Sequence, residues 1–178
     1  MQNRQRFSVC FSGHRPEKLP TGAEFRMMLS LLYSEVIKAV EDGADTFYTG
    51  CARGVDLAAA QIILYLKRNN PALKLICVQP YEQQSKGTDG PEQYLYQTVL
   101  QAADQVICLS DKYYRGCYRS RNQYMIHRSQ RLIALVTDMQ SGTGQTIRMA
   151  QSAGLDVRIL SLEAAARQAQ PSHEYFNF

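Results

Sequence analysis

Short apolar or β-branched runs alternate along the chain with longer stretches whose apolar residues recur every three or four positions. The runs at 7–12, 46–49, 73–78, 105–109, 132–136 and 157–160 have the length and composition of strands. Between the first two, Phe25, Met28, Leu29, Leu32, Val36, Ile37 and Val40 share one face of an amphipathic helix that Gly43 stops. Val55, Ala58, Ala59, Ile62, Ile63 and Leu66 mark a second such face, ending before Pro71. Weaker helical patterns occupy 92–103, 119–129, 143–153 and 162–169.

Crossovers of this length join parallel strands through right-handed βαβ units. Strands apolar on both faces require helices on both sides of the sheet. The predicted fold is therefore α/β, a Rossmann-like, doubly wound, mainly parallel sheet in one domain spanning 1–178 with its core at about 7–162. The tail from Gln168 to Phe178 leaves two readings open, a flexible extension or a segment whose Tyr175, Phe176 and Phe178 dock on a partner. In doubly wound sheets ligands bind outside the carboxyl ends of the strands, where the strand order reverses.

Unusual residues gather in those loops. Ser12-Gly13-His14-Arg15-Pro16 follows the first strand, and Thr49-Gly50-Cys51-Ala52-Arg53-Gly54-Val55-Asp56 follows the second. Asp138-Met139-Gln140-Ser141-Gly142-Thr143-Gly144 follows the fifth and opens a helix. A glycine-rich turn lets backbone N–H groups approach an anion, and the helix end adds roughly half a positive charge. The same glycines also serve plain turns and caps. There is no GxxxxGK[ST] and no GxGxxG after the first strand, which excludes a Walker-type loop and argues against ordinary dinucleotide binding.

Asp56, in the first turn of its helix, has two readings: a cap worth about 0.5–2 kcal/mol, or an acceptor for ribose hydroxyls or a base edge. Arg15 and Arg53 beside the glycines are candidates to clamp a phosphate, at roughly 1.5–3 kcal/mol per charge-assisted bond. For His14 an acid–base role competes with a structural hydrogen bond, and the sequence shows it no partner.

Composition adds one feature. The 178 residues are 45% apolar and 20% charged, an ordinary globular mixture that removes roughly 70% of its unfolded surface from water. Net charge is +4, yet the segment 111–131 alone holds six cations (Lys112, Arg115, Arg119, Arg121, Arg128 and Arg131) against Asp111. The rest of the chain is close to neutral. The segment also holds Tyr113, Tyr114, Tyr118 and Tyr124, suited to stacking on bases or, equally, to packing on the sheet. Within it, Arg121 and Asn122 fall closest to the predicted ligand edge.

No apolar stretch approaches the ~20 residues of a membrane span, and the start is a poor signal peptide. Five cysteines without CxxC spacing are expected to be reduced and buried, with no metal site. The expected location is the cytoplasm.

Ser12-Gly13-His14-Arg15-Pro16, Gly50-Cys51-Ala52-Arg53-Gly54-Val55-Asp56, Arg121-Asn122-Gln123-Tyr124-Met125 and the Gly142-Thr143 turn together resemble the YpsA-like branch of the SLOG superfamily. That superfamily also holds the DNA-processing protein A family and the lonely-guy phosphoribohydrolases. The resemblance spans about 7–162 and implies a Rossmann-like domain that binds nucleotides or their derivatives. The phosphoribohydrolases follow their Pro-Gly-Gly-x-Gly-Thr loop with a catalytic glutamate, whereas Thr143-Gly144-Gln145-Thr146-Ile147-Arg148 offers no carboxylate here.

The leading expectation is binding or sensing of a nucleotide-like phosphorylated ligand, with no cofactor required. Phosphate would sit at Gly142 and Thr143, with Gly13 permitting close approach and Arg53, Gly54 and Asp56 holding sugar or a second phosphate. On this reading Gly54→Ala and Asp56→Ala abolish binding and leave the fold intact. A nucleoside-phosphate glycosidase or ribosyltransferase, with Asp56 as its carboxylate, is the enzyme alternative. Single-stranded nucleic-acid binding through 111–131 is the third reading, and assembly into a homo-oligomer stays open.

Overall fold

The computed structural model describes residues 7–161. Six strands form one parallel sheet: β1 (Phe7–Gly13), β2 (Ala44–Thr49), β3 (Lys74–Gln79), β4 (Gln105–Cys108), β5 (Arg131–Leu135) and β6 (Asp156–Leu160). Five α-helices alternate with them: α1 (Gly22–Glu41), α2 (Val55–Lys67), α3 (Gly90–Ala102), α4 (Cys117–Ile126) and α5 (Gly142–Ser152). The spatial order β4-β3-β2-β1-β5-β6 makes the sheet doubly wound, reversing between β1 and β5. The helical pattern at 162–169 and the tail at 168–178 lie outside the described residues.

Period-two side chains divide the core. Val9, Phe11, Leu75, Cys77, Ile133 and Leu135 pack against α1, α2 and α3 on one face. Their neighbours Cys10, Ile76, Val78, Leu132 and Ala134 pack against α4 and α5 on the other. Right-handed crossovers require this arrangement, because the helices change face when the winding direction reverses. The stripe of α1 runs through Met28, Leu32, Val36 and Ala39, four- and three-residue steps that place them over the sheet.

The outer strands depart from the two-sided burial expected of them. On β4, Val106 is 43% exposed, and on β6, Ile159 is 42% exposed, because an edge strand has one neighbour and incomplete helix cover. Cys108 is exposed for the same reason, correcting the expectation that every cysteine is buried. All five thiols are free, and the other four are buried.

At the amino edge of the sheet, opposite the predicted ligand edge, Arg131 is buried between Asp42 at 2.8 Å and Asp156 at 2.7 Å. Burial pushes the Asp156 carboxyl up. The hydrogen bonds and charges of Arg131 and Arg158 outweigh it and hold the group below the usual carboxylate range. A depressed carboxyl stabilises the fold above its unfolded pKa of about 3.9 and loses that contribution as pH falls through the folded value. Arg131→Gln should lower unfolding free energy by about 1 kcal/mol at neutral pH, the order expected for part-exposed ion pairs. Urea titrations at pH 7 and pH 3 should show this deficit shrinking at the lower pH, and a deficit that grows there would contradict the assignment.

Candidate functional site

At the β1/β5 reversal a cavity of about 320 Å³ opens at the carboxyl ends of the strands. That is the lower end of the range for small-molecule sites, roughly 300–1,000 Å³. Gly13, His14 and Arg15 line it from the loop after β1, Asp56 from α2, Arg121 and Asn122 from α4, and Gly142 and Thr143 from α5. Eight residues separated by up to 130 positions thus meet at one place.

The other predicted residues stand elsewhere. Arg53 faces a neighbouring cavity and is held by Glu17 at 2.8 Å and Glu92 at 2.5 Å. The Glu92 hydrogen bond leads in raising the Arg53 pKa, and the Glu17 charge adds to it. Gly50 and Gly54 stand behind the cavity wall and shape it through their neighbours.

Their roles follow from what a side chain would meet. A Cβ on Gly50 would fall 1.8 Å from Nη1 of Arg121 and 2.7 Å from Oδ2 of Asp56. Gly54 has φ +92°, and a Cβ there would sit 2.4 Å from the His14 carbonyl oxygen. That carbonyl accepts from the Val55 N–H at 3.3 Å, so the β1 loop closes the start of α2. A Cβ on Gly13 would meet Val55 Cβ at 2.4 Å, so its bareness serves the packing of β1 on α2. Gly142 differs: nothing lies within 4 Å of its missing Cβ. Packing does not require glycine there.

Arg121 is 5% exposed. Its Nη1 donates to the Gly50 carbonyl, its Nε donates to Asn122 Oδ1 at 2.7 Å, and Nη1 lies 3.9 Å from Asp56 Oδ2. Asn122 Nδ2 in turn donates to Thr146 Oγ1 at 2.8 Å, and Thr146 Oγ1 donates to the Gly142 carbonyl at 3.0 Å. Asp56 Oδ2 accepts from the Ala52 N–H at 3.3 Å. Burial pushes the Asp56 carboxyl above its ordinary value, and the Arg121 charge and the Ala52 N–H offset part of that push. Both carboxylate partners are therefore structural supports, so Asp56→Ala and Gly54→Ala disturb the local fold as well as any ligand contact. The expectation of intact folding in those two variants is corrected.

His14 is buried, and its Nε2 accepts from the Thr137 N–H at 3.0 Å. That bond requires a neutral ring with the proton on Nδ1. Burial leads in lowering its pKa and Lys18 adds to it, against a smaller upward effect of Asp138.

At the α5 start, Ser141 caps the helix by accepting from the Gly144 N–H at 3.3 Å. The Gly142 and Thr143 amides come before any i−4 carbonyl of the helix and stay directed to its open end. Among the described residues, no three His, Cys, Asp or Glu side chains gather where they could hold a metal ion.

Phe11, Ser12, Glu17, Lys18, Ala52, Tyr118 and Ser141 also line the cavity and were not among the predicted ligand-binding residues. Sequence signals point to two of them. Tyr118 stands three residues before Arg121, hence on the same helix face, and its ring lies 5.3 Å from Arg15 Cζ and 5.9 Å from Arg121 Cζ. Ser141 stands three residues ahead of Gly144, the spacing of a cap.

The basic segment 111–131 does not form one surface. Arg121 is buried in the cavity wall, Arg128 stacks on Tyr124 at 3.6 Å, and Arg131 is paired at the opposite edge of the sheet. Lys112, Arg115 and Arg119 remain exposed between β4 and the first turn of α4.

With this geometry in view, a family model described as the YspA SLOG family matches residues 9–156. The chain belongs to that family. The SPbeta prophage-derived protein YoqJ of Bacillus subtilis is 27% identical over 173 residues, covering 90% of this chain and 94% of YoqJ. A UPF0398 protein of Halalkalibacterium halodurans is 26% identical over 111 residues, 61% of this chain, and the match spans 59% of that relative's length. Among solved structures, DNA processing protein A from Helicobacter pylori, described for its single-stranded DNA binding, superposes with a TM-score of 0.58 at 20% identity. That match covers 96% of this chain and 76% of the other. The molybdenum cofactor carrier protein of Chlamydomonas reinhardtii gives 0.54 at 16% identity, covering 92% and 82%. These likenesses show the SLOG fold, with the β1/β5 cavity at the position where such sheets bind ligands. Among the described residues of this family member, no helix is long and apolar enough to cross a membrane.

Two outcomes follow. Gly13→Ala should cost 1–3 kcal/mol or more, because overpacking against Val55 cannot relax cheaply, whereas Gly142→Ala should stay within about 0.5 kcal/mol of wild type in urea unfolding. Equal costs would show that both turns are set by packing. A histidine held neutral stabilises fully above its unfolded pKa, near 6.5, and loses that contribution as pH falls below it. Wild-type stability should therefore drop between pH 6.5 and 5, with a smaller drop in His14→Asn, measured by the same titrations.

Proposed function

We propose that this protein binds a small phosphorylated, nucleotide-like ligand in the β1/β5 cavity, with the phosphate on the first turn of α5. The supporting observation is Gly142. It lines the cavity, it has open space where its side chain would be, and it begins a helix whose first amides face outward. A bare backbone at a helix start is how a phosphate gains close N–H contacts along a favourable dipole. Arg15 stands opposite with no ion pair among the described residues, and the N–H groups of Arg121 not taken by Gly50 and Asn122 belong to the same wall. Similar folds handle single-stranded DNA in the Helicobacter pylori protein and molybdenum cofactor in the Chlamydomonas carrier, which agrees with a nucleotide or nucleic-acid ligand. The scattering of the 111–131 cations favours a small ligand over a strand.

One observation favours turnover as a second reading. Two carboxylates line this cavity, and their environments push them apart: Asp56 upward through burial, Glu17 downward, chiefly through its own backbone N–H. Separated carboxyl pKa values are a mark of acid–base sites and would suit N-glycosidic hydrolysis. Release of free base from nucleoside monophosphates, lost in Asp56→Asn, would establish it.

For the binding reading, thermal unfolding is followed with a panel of nucleoside 5′-monophosphates. A ligand at a hundredfold over Kd stabilises by about 2.7 kcal/mol, a rise of several degrees for a chain this size. Gly142→Val, its unfolding without ligand measured beside wild type, should show no rise with ligand. An equal rise in both proteins, or none with any monophosphate in wild type, would overturn the assignment.

A further inference from the structure

A second cavity of about 280 Å³ lies beside the first, and Arg15, Ala52 and Tyr118 line both. Its far wall is the loop between β3 and α3, which contributes Ser85, Lys86 and Thr88. Three cations stand around it with different commitments. Arg53 is held by Glu17 and Glu92, while Arg15 and Lys86 have no ion pair among the described residues. The Arg15 guanidinium lies over the face of Tyr118, a contact that leaves its N–H edge available. The hydroxyls of Ser85 and Thr88 flank Lys86 on the same wall.

The two cavities are also joined mechanically. Gln84 Nε2 donates to the Gly50 carbonyl at 3.0 Å, the same oxygen that accepts from Arg121. The wall of the second chamber is thus tied to the wall of the first through one peptide group.

We propose that the second chamber is an anion subsite, so that the ligand carries two phosphate groups, one on the α5 start and one on Arg15 and Lys86, with Tyr118 lining both chambers. This rests on the reading of the first cavity given above. Two ligand types supply the shared chemistry: a nucleoside 3′,5′-bisphosphate and a dinucleotide joined by pyrophosphate. They differ in phosphate spacing, so comparing them separates the two sources.

Calorimetric titration of wild type and Lys86→Ala with a nucleoside 5′-monophosphate, its 3′,5′-bisphosphate and a pyrophosphate-linked dinucleotide provides the test. One doubly phosphorylated ligand should bind at least about tenfold tighter than the monophosphate, the gain expected of a charge-assisted contact. Lys86→Ala, an exposed position, should remove most of that gain and leave the monophosphate Kd within about twofold of wild type. Monophosphate binding without any gain from a second phosphate, or equal weakening of all three ligands in Lys86→Ala, overturns the subsite and leaves the first cavity standing. Binding of none overturns both. Tighter binding of a single-stranded tetranucleotide than of either small ligand also overturns it, since the cleft would then take a polymer.

Discussion

A buried guanidinium without acceptors costs several kcal/mol, so the surroundings of Arg121 constrain everything near them. The side chain leaves α4 and runs over Gly50, where no Cβ fits, to reach a carbonyl of the β2–α2 loop and the field of Asp56. Its other recorded bond goes to Asn122, which passes through Thr146 to the Gly142 carbonyl. The beginnings of α2 and α5 are thereby registered against each other by residues of a third helix. α4 itself buries only Cys117, Arg121, Met125 and Ile126, so charge and hydrogen bonding fix it as much as apolar packing does. The β1/β5 cavity is the space these three helix starts leave between them.

The alternation of strand and helix was readable from the sequence because period two and period 3.6 are local properties. The concentration of glycines on one edge was equally readable. Their reasons were not. Gly50 is bare because Arg121, 71 positions away, passes over it; Gly13 is bare because Val55 packs on it. Only the three-dimensional neighbourhood distinguishes these from Gly142, where no described residue comes within 4 Å of the missing Cβ. A glycine in a strand-end loop is thus a signal of close approach, and here the approaching group is a side chain at Gly13 and Gly50 and a backbone carbonyl at Gly54 and Gly144.

The basic segment shows a second limit, which is geometric. In a parallel sheet each helix runs back from the carboxyl edge to the amino edge. α4 has ten residues and spans about 15 Å at 1.5 Å per residue. A run of charge that begins before such a helix and ends in the following strand must be split between opposite ends of the molecule. Arg121 and Arg131 obey this, one in the cavity wall and one between Asp42 and Asp156. Arg53 shows the same limit: adjacency to Gly54 says nothing of Glu17 in the short 3-10 turn after β1 and Glu92 in the first turn of α3, which hold it.

What an anion meets in the cavity depends on how Asp56 and Arg121 divide their charge. The carboxylate at 3.9 Å offsets the guanidinium, so attraction at the cavity falls to Arg15, Lys18 and the outward amides of α5. Burial already pushes Asp56 upward, and a phosphate brought into the same low-dielectric space repels the carboxylate and pushes it further. Protonating Asp56 would free the charge of Arg121 to act on the ligand. If phosphate binds there as proposed, its binding and proton uptake at Asp56 are linked, each favouring the other by the same free energy. The buried pair therefore does two things at once: it holds α4 on the β2–α2 loop, and it makes the positive potential of the cavity depend on the protonation of one carboxylate.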